Sequence, residues 1–168
     1  TVKAHEKLEV LTDAEIVDFE GFKGSFTTKI SMNGSEKRRK IEHGVILVAT
    51  GAAESQPKDF FYGEDKRVVT QVQLTDQLEE KGAADLESVV MIQCVGSRNE
   101  ENENCSRICC QSAVKNALII KKNNPNTQVF ILYRDIRTYG LLEDYYKEAR
   151  EKGVIFIRFD RDAPPVVD

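Results

Sequence analysis

Residues 94–110 read Cys-Val-Gly-Ser-Arg-Asn-Glu-Glu-Asn-Glu-Asn-Cys-Ser-Arg-Ile-Cys-Cys and hold every cysteine of the 168-residue chain: Cys94, Cys105, Cys109 and Cys110. Thiols gathered in this way can ligate a metal, oxidise in pairs or sit inert. Iron–sulfur clusters are held by cysteine thiolates, four for a cubane or two-iron centre, and the thiolates must be deprotonated to bind. Structural zinc also takes four thiolates, but its usual signature is two pairs of Cys with two to four residues between them, which adjacent Cys109 and Cys110 fit poorly. A disulfide relay or redox switch is open to thiols whose pKa falls at a helix start. Four reduced thiols packed as small hydrophobes are the bland alternative.

The flanking segments say how the thiols are positioned. Residues 88–93, Ser-Val-Val-Met-Ile-Gln, form a short β-branched apolar run bounded by polar segments and predict a buried strand. After Cys110, residues Val114, Ala117, Leu118 and Lys121 follow at spacings of three and four, the period of an amphipathic helix. The cysteines therefore occupy a strand-to-helix turn. In a nucleotide-binding α/β unit that turn carries Gly-x-Gly-x-x-Gly; here it carries Gly96 alone, so the usual dinucleotide cradle is missing. Cys105, Cys109 and Cys110 are expected in or beside the first helical turns, where unpaired N–H groups and the positive dipole end favour anionic sulfur. If Cys105 and Cys109 are both helical they share a face, with Cys110 about 100° round the axis. A bulky cluster capping the helix suits that arrangement better than one small ion, and Cys94 closes the site from the strand end.

Three strings carry a resemblance to a known family: Val-Val-Met-Ile-Gln-Cys-Val-Gly-Ser-Arg-Asn-Glu from Val89, Cys-Ser-Arg-Ile-Cys-Cys from Cys105, and Leu-Tyr-Arg-Asp-Ile-Arg-Thr-Tyr-Gly from Leu132. Together they resemble the A subunit of heterodisulfide reductase and its relatives, most sharply over residues 89–159. The resemblance implies an oxidoreductase with a thioredoxin-reductase-like flavoprotein core that binds FAD. It further implies a [4Fe-4S] cluster in that core, held by Cys94, Cys105, Cys109 and Cys110. The partners it implies are the other subunits of a heterodisulfide reductase-like complex and an electron-donor protein. No residue takes a general acid or base role from the sequence, so catalytic residues stay unassigned.

The remainder of the chain sets the frame. With 40% apolar and 31% charged residues it has the profile of a soluble globular protein. A net charge of −4 with no large basic face argues against nucleic acid. No apolar run is long enough for a membrane span, and clustered thiols without partners elsewhere favour a reducing cytoplasm. The chain opens on Thr1 within a strand-like region, from which an excerpt of a longer protein is expected. A flavoprotein of this kind needs an N-terminal Gly-x-Gly-x-x-Gly turn for the FAD pyrophosphate, and the chain has none. By itself it is expected to hold FAD weakly and to be inactive.

Strands are expected at residues 8–11, 15–19 and 25–32, the last with Phe26, Thr28, Ile30 and Met32 on one face. Asn33-Gly34 marks a hairpin, and the strand at 36–42 carries Lys37-Arg38-Arg39-Lys40, read as a solvated edge. Residues 44–51, Gly-Val-Ile-Leu-Val-Ala-Thr-Gly, read as a continuous buried strand. Set beside the family resemblance, Ala49, Thr50 and Gly51 become candidate FAD-proximal residues; a plain buried strand leading into a turn is the alternative. A connector at 52–67 precedes a short strand at 68–72 and a helix at 75–81 stopped by Gly82. Beyond the cysteine helix, which Pro125 helps to break, come a strand at 129–133, a helix at 141–152 and a last strand at 154–159.

The expected fold class is α/β: a Rossmann-like parallel βαβαβ lobe at 68–168, and a β-rich lobe at 1–51 that is part of an FAD-binding domain. Arg134 and Asp135 follow the second strand of the parallel unit, where such folds often read a ribose or its phosphate. Without the glycine cradle, the preferred reading is that this loop shapes the cluster or flavin surroundings. His5 and His43 default to surface histidines. A zinc-stabilised interaction module and a cysteine redox sensor stand as rivals from other function classes.

Overall fold

The computed structural model describes residues 5–167. The chain divides into two units between Ala52 and Ala53. In the first unit, β1 (Ala14–Phe22), β2 (Ser25–Met32) and β3 (Arg38–His43) form an antiparallel sheet in that order. Thr28 and Ile30 are buried on the face that period-two patterning assigns to β2. Asn33 and Gly34 both have positive φ, as the dipeptide requires at the β2–β3 turn. The basic run is exposed, with Arg38, Arg39 and Lys40 on edge strand β3 and Lys37 just before it. His43 departs from expectation: it is half-buried, its Nε2 lies 2.7 Å from the Thr28 hydroxyl, and its ring stacks on Phe26.

The second unit contains α1 (Gln71–Lys81), β4 (Ser88–Ile92), α2 (Cys109–Asn123), β5 (Gln128–Tyr133), α3 (Leu142–Glu151) and β6 (Ile155–Arg158). The strands β4, β5 and β6 pair in parallel in sequence order, so the expected βαβαβ alternation is present. Its core gathers Leu74 and Leu78 of α1, Met91 of β4, Ala113, Val114, Ala117 and Ile120 of α2, and Val129 and Ile131 of β5. Small residues of α2, Ala113 and Ala117, have no exposed surface, and Ala149 of α3 is fully buried in the same cluster.

Three expected strands are absent. Residues 8–11 are irregular; Glu9 is tied to Arg39 of β3 by side-chain bonds of 2.5 and 2.6 Å instead of a ladder. The run at 44–51 also forms no strand, and its residues 45–51 are exposed, Leu47 by 89%. A strand buried on both faces needs neighbours to pair with and layers to cover it. Among the described residues no strand pairs with this run; its first residue, Gly44, accepts a bond from the Gly24 amide and the ladder ends there. Ala49, Thr50 and Gly51 consequently lie in exposed irregular chain. Finally, residues 68–70 lead into α1 rather than forming a strand. Thr70 and Gln73 make a reciprocal capping box, with Thr70 Oγ1 accepting from the Gln73 amide at 3.3 Å and Gln73 Oε1 accepting from the Thr70 amide at 2.9 Å. That box starts the helix at Gln71, several residues before the predicted 75.

Candidate metal centre

The cysteine segment begins where β4 ends and closes where α2 begins, so both ends are fixed by the parallel unit. Cys109 and Cys110 are the first two residues of α2. Its N-cap, Ile108, offers no side-chain cap, which leaves the first-turn N–H groups free to face anionic sulfur. Cys105 lies beside the helix, in irregular chain ahead of it, so the face that Cys105 and Cys109 would share if both were helical does not form. The Cys105 sulfur accepts from the Arg107 amide at 3.4 Å. Cys94, Arg98 and Arg107 all adopt positive φ, near +63°, +56° and +63°. Left-handed backbone at non-glycine residues is disfavoured by roughly 1–3 kcal/mol each and persists where surroundings over-determine it.

Cys109 and Cys110 act on each other. The Cys110 thiol donates to the Asp135 carbonyl at 3.7 Å. The neighbouring Cys110 side chain, with the Ser106 hydroxyl and the Cys94 and Cys110 amides, holds the Cys109 pKa down to about 6 against the opposing effect of burial. The Cys110 thiol is pushed up, first by the Cys109 side chain beside it and then by burial; Cys94 adds a further repulsive contribution. Asp135 links Cys94 to Cys110: its carboxylate holds Arg98, which reaches Cys94 Sγ, and its carbonyl accepts from Cys110 Sγ, whereas the Cys105 sulfur bonds only the Arg107 amide among the described contacts. Among the described residues, no three His, Cys, Asp or Glu side chains converge tightly enough to hold one metal ion. Tetrahedral zinc, with Zn–S near 2.3 Å, would require sulfurs about 3.8 Å apart.

Arginines wall the turn. Arg134, following β5, donates to the carbonyls of Arg98 and Ser97 at 2.8 and 2.9 Å. Arg98 donates to Asp135 at 2.6 Å and reaches Cys94 Sγ at 3.7 Å with its other terminal nitrogen. The Arg98 hydrogen bond holds the Asp135 carboxyl below the usual range, assisted by the nearby Arg137 and Arg158 charges. Both terminal nitrogens of Arg134 thus commit an N–H to main chain, which fixes the guanidinium against the turn. Sequence reasoning missed Arg98 and the clamping bonds of Arg134. The string Gly-Ser-Arg-Asn signals a turn, but no local pattern announces which distant side chain will bind its carbonyls.

Two buried N–H donors near this turn have no partner among the described residues: Gln93 Nε2, on a side chain beside Cys94 in sequence, and Arg134 Nε. Orphaned donors, free helical N–H groups and four thiols clustered in sequence suit an acceptor-rich anionic group such as a sulfide-bridged cluster. The donor set fits that group better than a single compact ion.

The fold and this site define an α/β segment built around clustered thiols. No protein-family profile matches the chain. Among curated proteins, it is 33% identical to the A subunit of the ferredoxin:CoB-CoM heterodisulfide reductase of Methanosarcina acetivorans, over 77% of this chain and 22% of that protein. It is 38% identical to the iron–sulfur A subunit of the CoB–CoM heterodisulfide reductase of Methanocaldococcus jannaschii, over 71% of this chain and 21% of that protein. It is 37% identical to the A subunit of the H2:CoB-CoM heterodisulfide,ferredoxin reductase of Methanothermobacter thermautotrophicus, with the same coverage. The chain is a relative of a segment of the heterodisulfide reductase A subunit, spanning about a fifth of the length of these proteins. By their names these relatives are oxidoreductase subunits, and one of them is an iron–sulfur subunit. Among the described residues, no helix is long and apolar enough to cross a membrane.

Proposed function

We propose that the chain is part of an FAD- and iron–sulfur-containing electron-transfer subunit of a heterodisulfide reductase-like complex in the cytoplasm. In this reading Cys94, Cys105, Cys109 and Cys110 hold a [4Fe-4S] cluster, and Ala49, Thr50 and Gly51 lie near FAD in the whole protein. Other subunits and an electron-donor protein are its partners. The observation that carries the reading is that Arg98, bonded to both Cys94 Sγ and Asp135, and the Asp135 carbonyl, bonded to Cys110 Sγ, tie the Cys94 turn to the uncapped start of α2. The lowered Cys109 pKa supplies a thiolate at neutral pH, the form that binds iron. Cys105 stands in the irregular chain just ahead of α2, four residues before Cys109.

When bound, the cluster would supply one-electron transfer. The protein's own contributions are to orient the four sulfurs, donate N–H groups toward them and restrict water at the half-buried and buried thiols. For FAD, residues 1–51 would form the β-rich lobe, joined through 52–67 to the cysteine-bearing lobe at 68–168.

The test is an anaerobic ultraviolet–visible spectrum with iron, sulfide and zinc analysis, before and after reconstitution, on the chain and on Cys109→Ser. A broad band near roughly 400 nm with stoichiometric iron and sulfide, weakened in the variant, is expected of cluster ligation. Stoichiometric zinc in a colourless protein after reconstitution would overturn the reading in favour of a structural metal module. Reversible thiol oxidation with no metal uptake would overturn it in favour of a redox sensor.

A further inference from the structure

The turn after Cys94 is held from a distance. Arg134 lies 36 residues beyond Arg98, yet it donates from separate nitrogens to two successive carbonyls of that turn. A planar guanidinium can make both bonds at once, whereas an ammonium is a single point donor. The turn requires such support, because Cys94 and Arg98 both have left-handed backbone. Arg98 is in turn anchored on Asp135, immediately after Arg134, which leaves its second terminal nitrogen facing the Cys94 sulfur. The end of β5 therefore controls both the backbone beyond Cys94 and the charge beside it.

We propose that Arg134 and Arg98 form a two-arginine clamp on the Cys94 turn: Arg134 fixes its backbone, and Arg98, anchored on Asp135, presents an N–H and a positive charge to the Cys94 sulfur and thereby raises the reduction potential of the cluster. The second half rests on the reading of Cys94 as a cluster ligand. Adding an electron makes a cluster more negative, and a charged donor on a ligand sulfur stabilises that state more than the oxidised one. Both arginines are positioning and tuning residues, without a chemical step of their own.

Two measurements test the clamp. In the 168-residue chain reconstituted anaerobically with iron and sulfide, Arg98→Met should retain the cluster while lowering its midpoint potential by about 59 mV, a tenfold change in the one-electron reduction constant. Arg98→Lys, which restores charge and one donor, should recover part of that shift. Equal potentials in wild type and Arg98→Met would overturn the tuning role. In the metal-free chain, Arg134→Met should speed hydrogen exchange about tenfold at the Ser97 and Asn99 amides, which bond to Cys94 and Asn102 carbonyls, while the amides of β5 keep their rates. Unchanged exchange at Ser97 and Asn99, or an equal rise throughout β5, would overturn the clamp. Failure of the wild-type chain to take up iron and sulfide would sink the cluster reading and the tuning role together; the exchange experiment decides the Arg134 clamp independently.

Discussion

The two units use apolar residues in opposite ways. In the second, a parallel sheet lies beneath its own helices, and Ala113, Ala117, Ile120, Val129, Ile131 and Ala149 are all fully buried. In the first, the buried residues among those described are Thr28, Ile30 and Ser31, while Phe19, Phe22, Leu47 and Val48 are exposed. The difference follows from connectivity. A βαβ crossover places a helix on the sheet by construction, so each strand pair brings part of its own cover. An antiparallel meander brings none, and its ladder satisfies backbone groups without removing much apolar surface from water. The thiol turn is attached to the unit that has its own core, which gives Cys94, Cys109 and Cys110 a rigid support at two ends.

The largest test of this contrast is a pair of truncations. Ile120→Ala removes a fully buried side chain of α2 and should destabilise the second unit by about 3 kcal/mol, read from the denaturant midpoint. Leu47→Ala, at an 89% exposed position, should change stability by less than about 0.5 kcal/mol. A loss at Leu47 comparable to that at Ile120 would break the comparison, because it would place the 45–48 run in a packed environment in solution.

Legibility in the sequence follows the same division. The parallel unit is readable because its strands are short β-branched runs and its cysteine helix repeats apolar residues at spacings of three and four; Val114 and Ala117 are buried as that period requires. The run at 44–51 misleads because hydrophobicity signals a wish for burial, whereas burial itself depends on neighbours. The start of α1 is written in Thr70-x-x-Gln73, but the preceding Val68-Val69 has the β-branched character of a strand. For the candidate site, the strand-to-helix location of the thiols is legible. The loop position of Cys105 is not, since a spacing of four fits a helix without proving one. Arg98, Arg134 and Asp135 meet only in three dimensions, so their contacts have no local signature.

A middle-sized effect is expected from a polar residue that helical patterning hides. Asn116 lies on the inner face of α2 with no exposed surface, donates to the Gln71 carbonyl and side chain at 3.1 and 2.9 Å, and accepts from the Thr75 hydroxyl at 3.1 Å. It is the buried polar link from α2 to α1, beside the exposed bond from Lys115 Nζ to the Thr75 hydroxyl at 3.2 Å. Asn116→Ala should cost about 2 kcal/mol in the same denaturation experiment, because it strands buried partners as well as removing bonds. A loss under half of that would mean that water or a neighbour replaces the amide, and the α1–α2 contact would then rest chiefly on apolar packing that includes Leu74 and Leu78.

The smallest effect should fall in the first unit, at the Glu9–Arg39 pair. Its two bonds are short and bidentate, yet both side chains are largely exposed, so solvent and salt screen the attraction. The Arg39 hydrogen bond holds the Glu9 carboxyl below its ordinary value of 4.5. A carboxyl depressed in the folded state contributes stability above its unfolded pKa and loses it as pH falls through the folded one. Arg39→Ala should therefore produce a small acceleration of hydrogen exchange at the β3 amides near neutral pH and low salt. That difference should vanish in high salt, or in acid once the pH has fallen through the lowered Glu9 pKa and the carboxylate is protonated. An effect that survived both conditions would show that Arg39 holds the 8–11 segment by packing its stem rather than by charge, and would give the first unit a covering contact that its exposed sheet otherwise lacks.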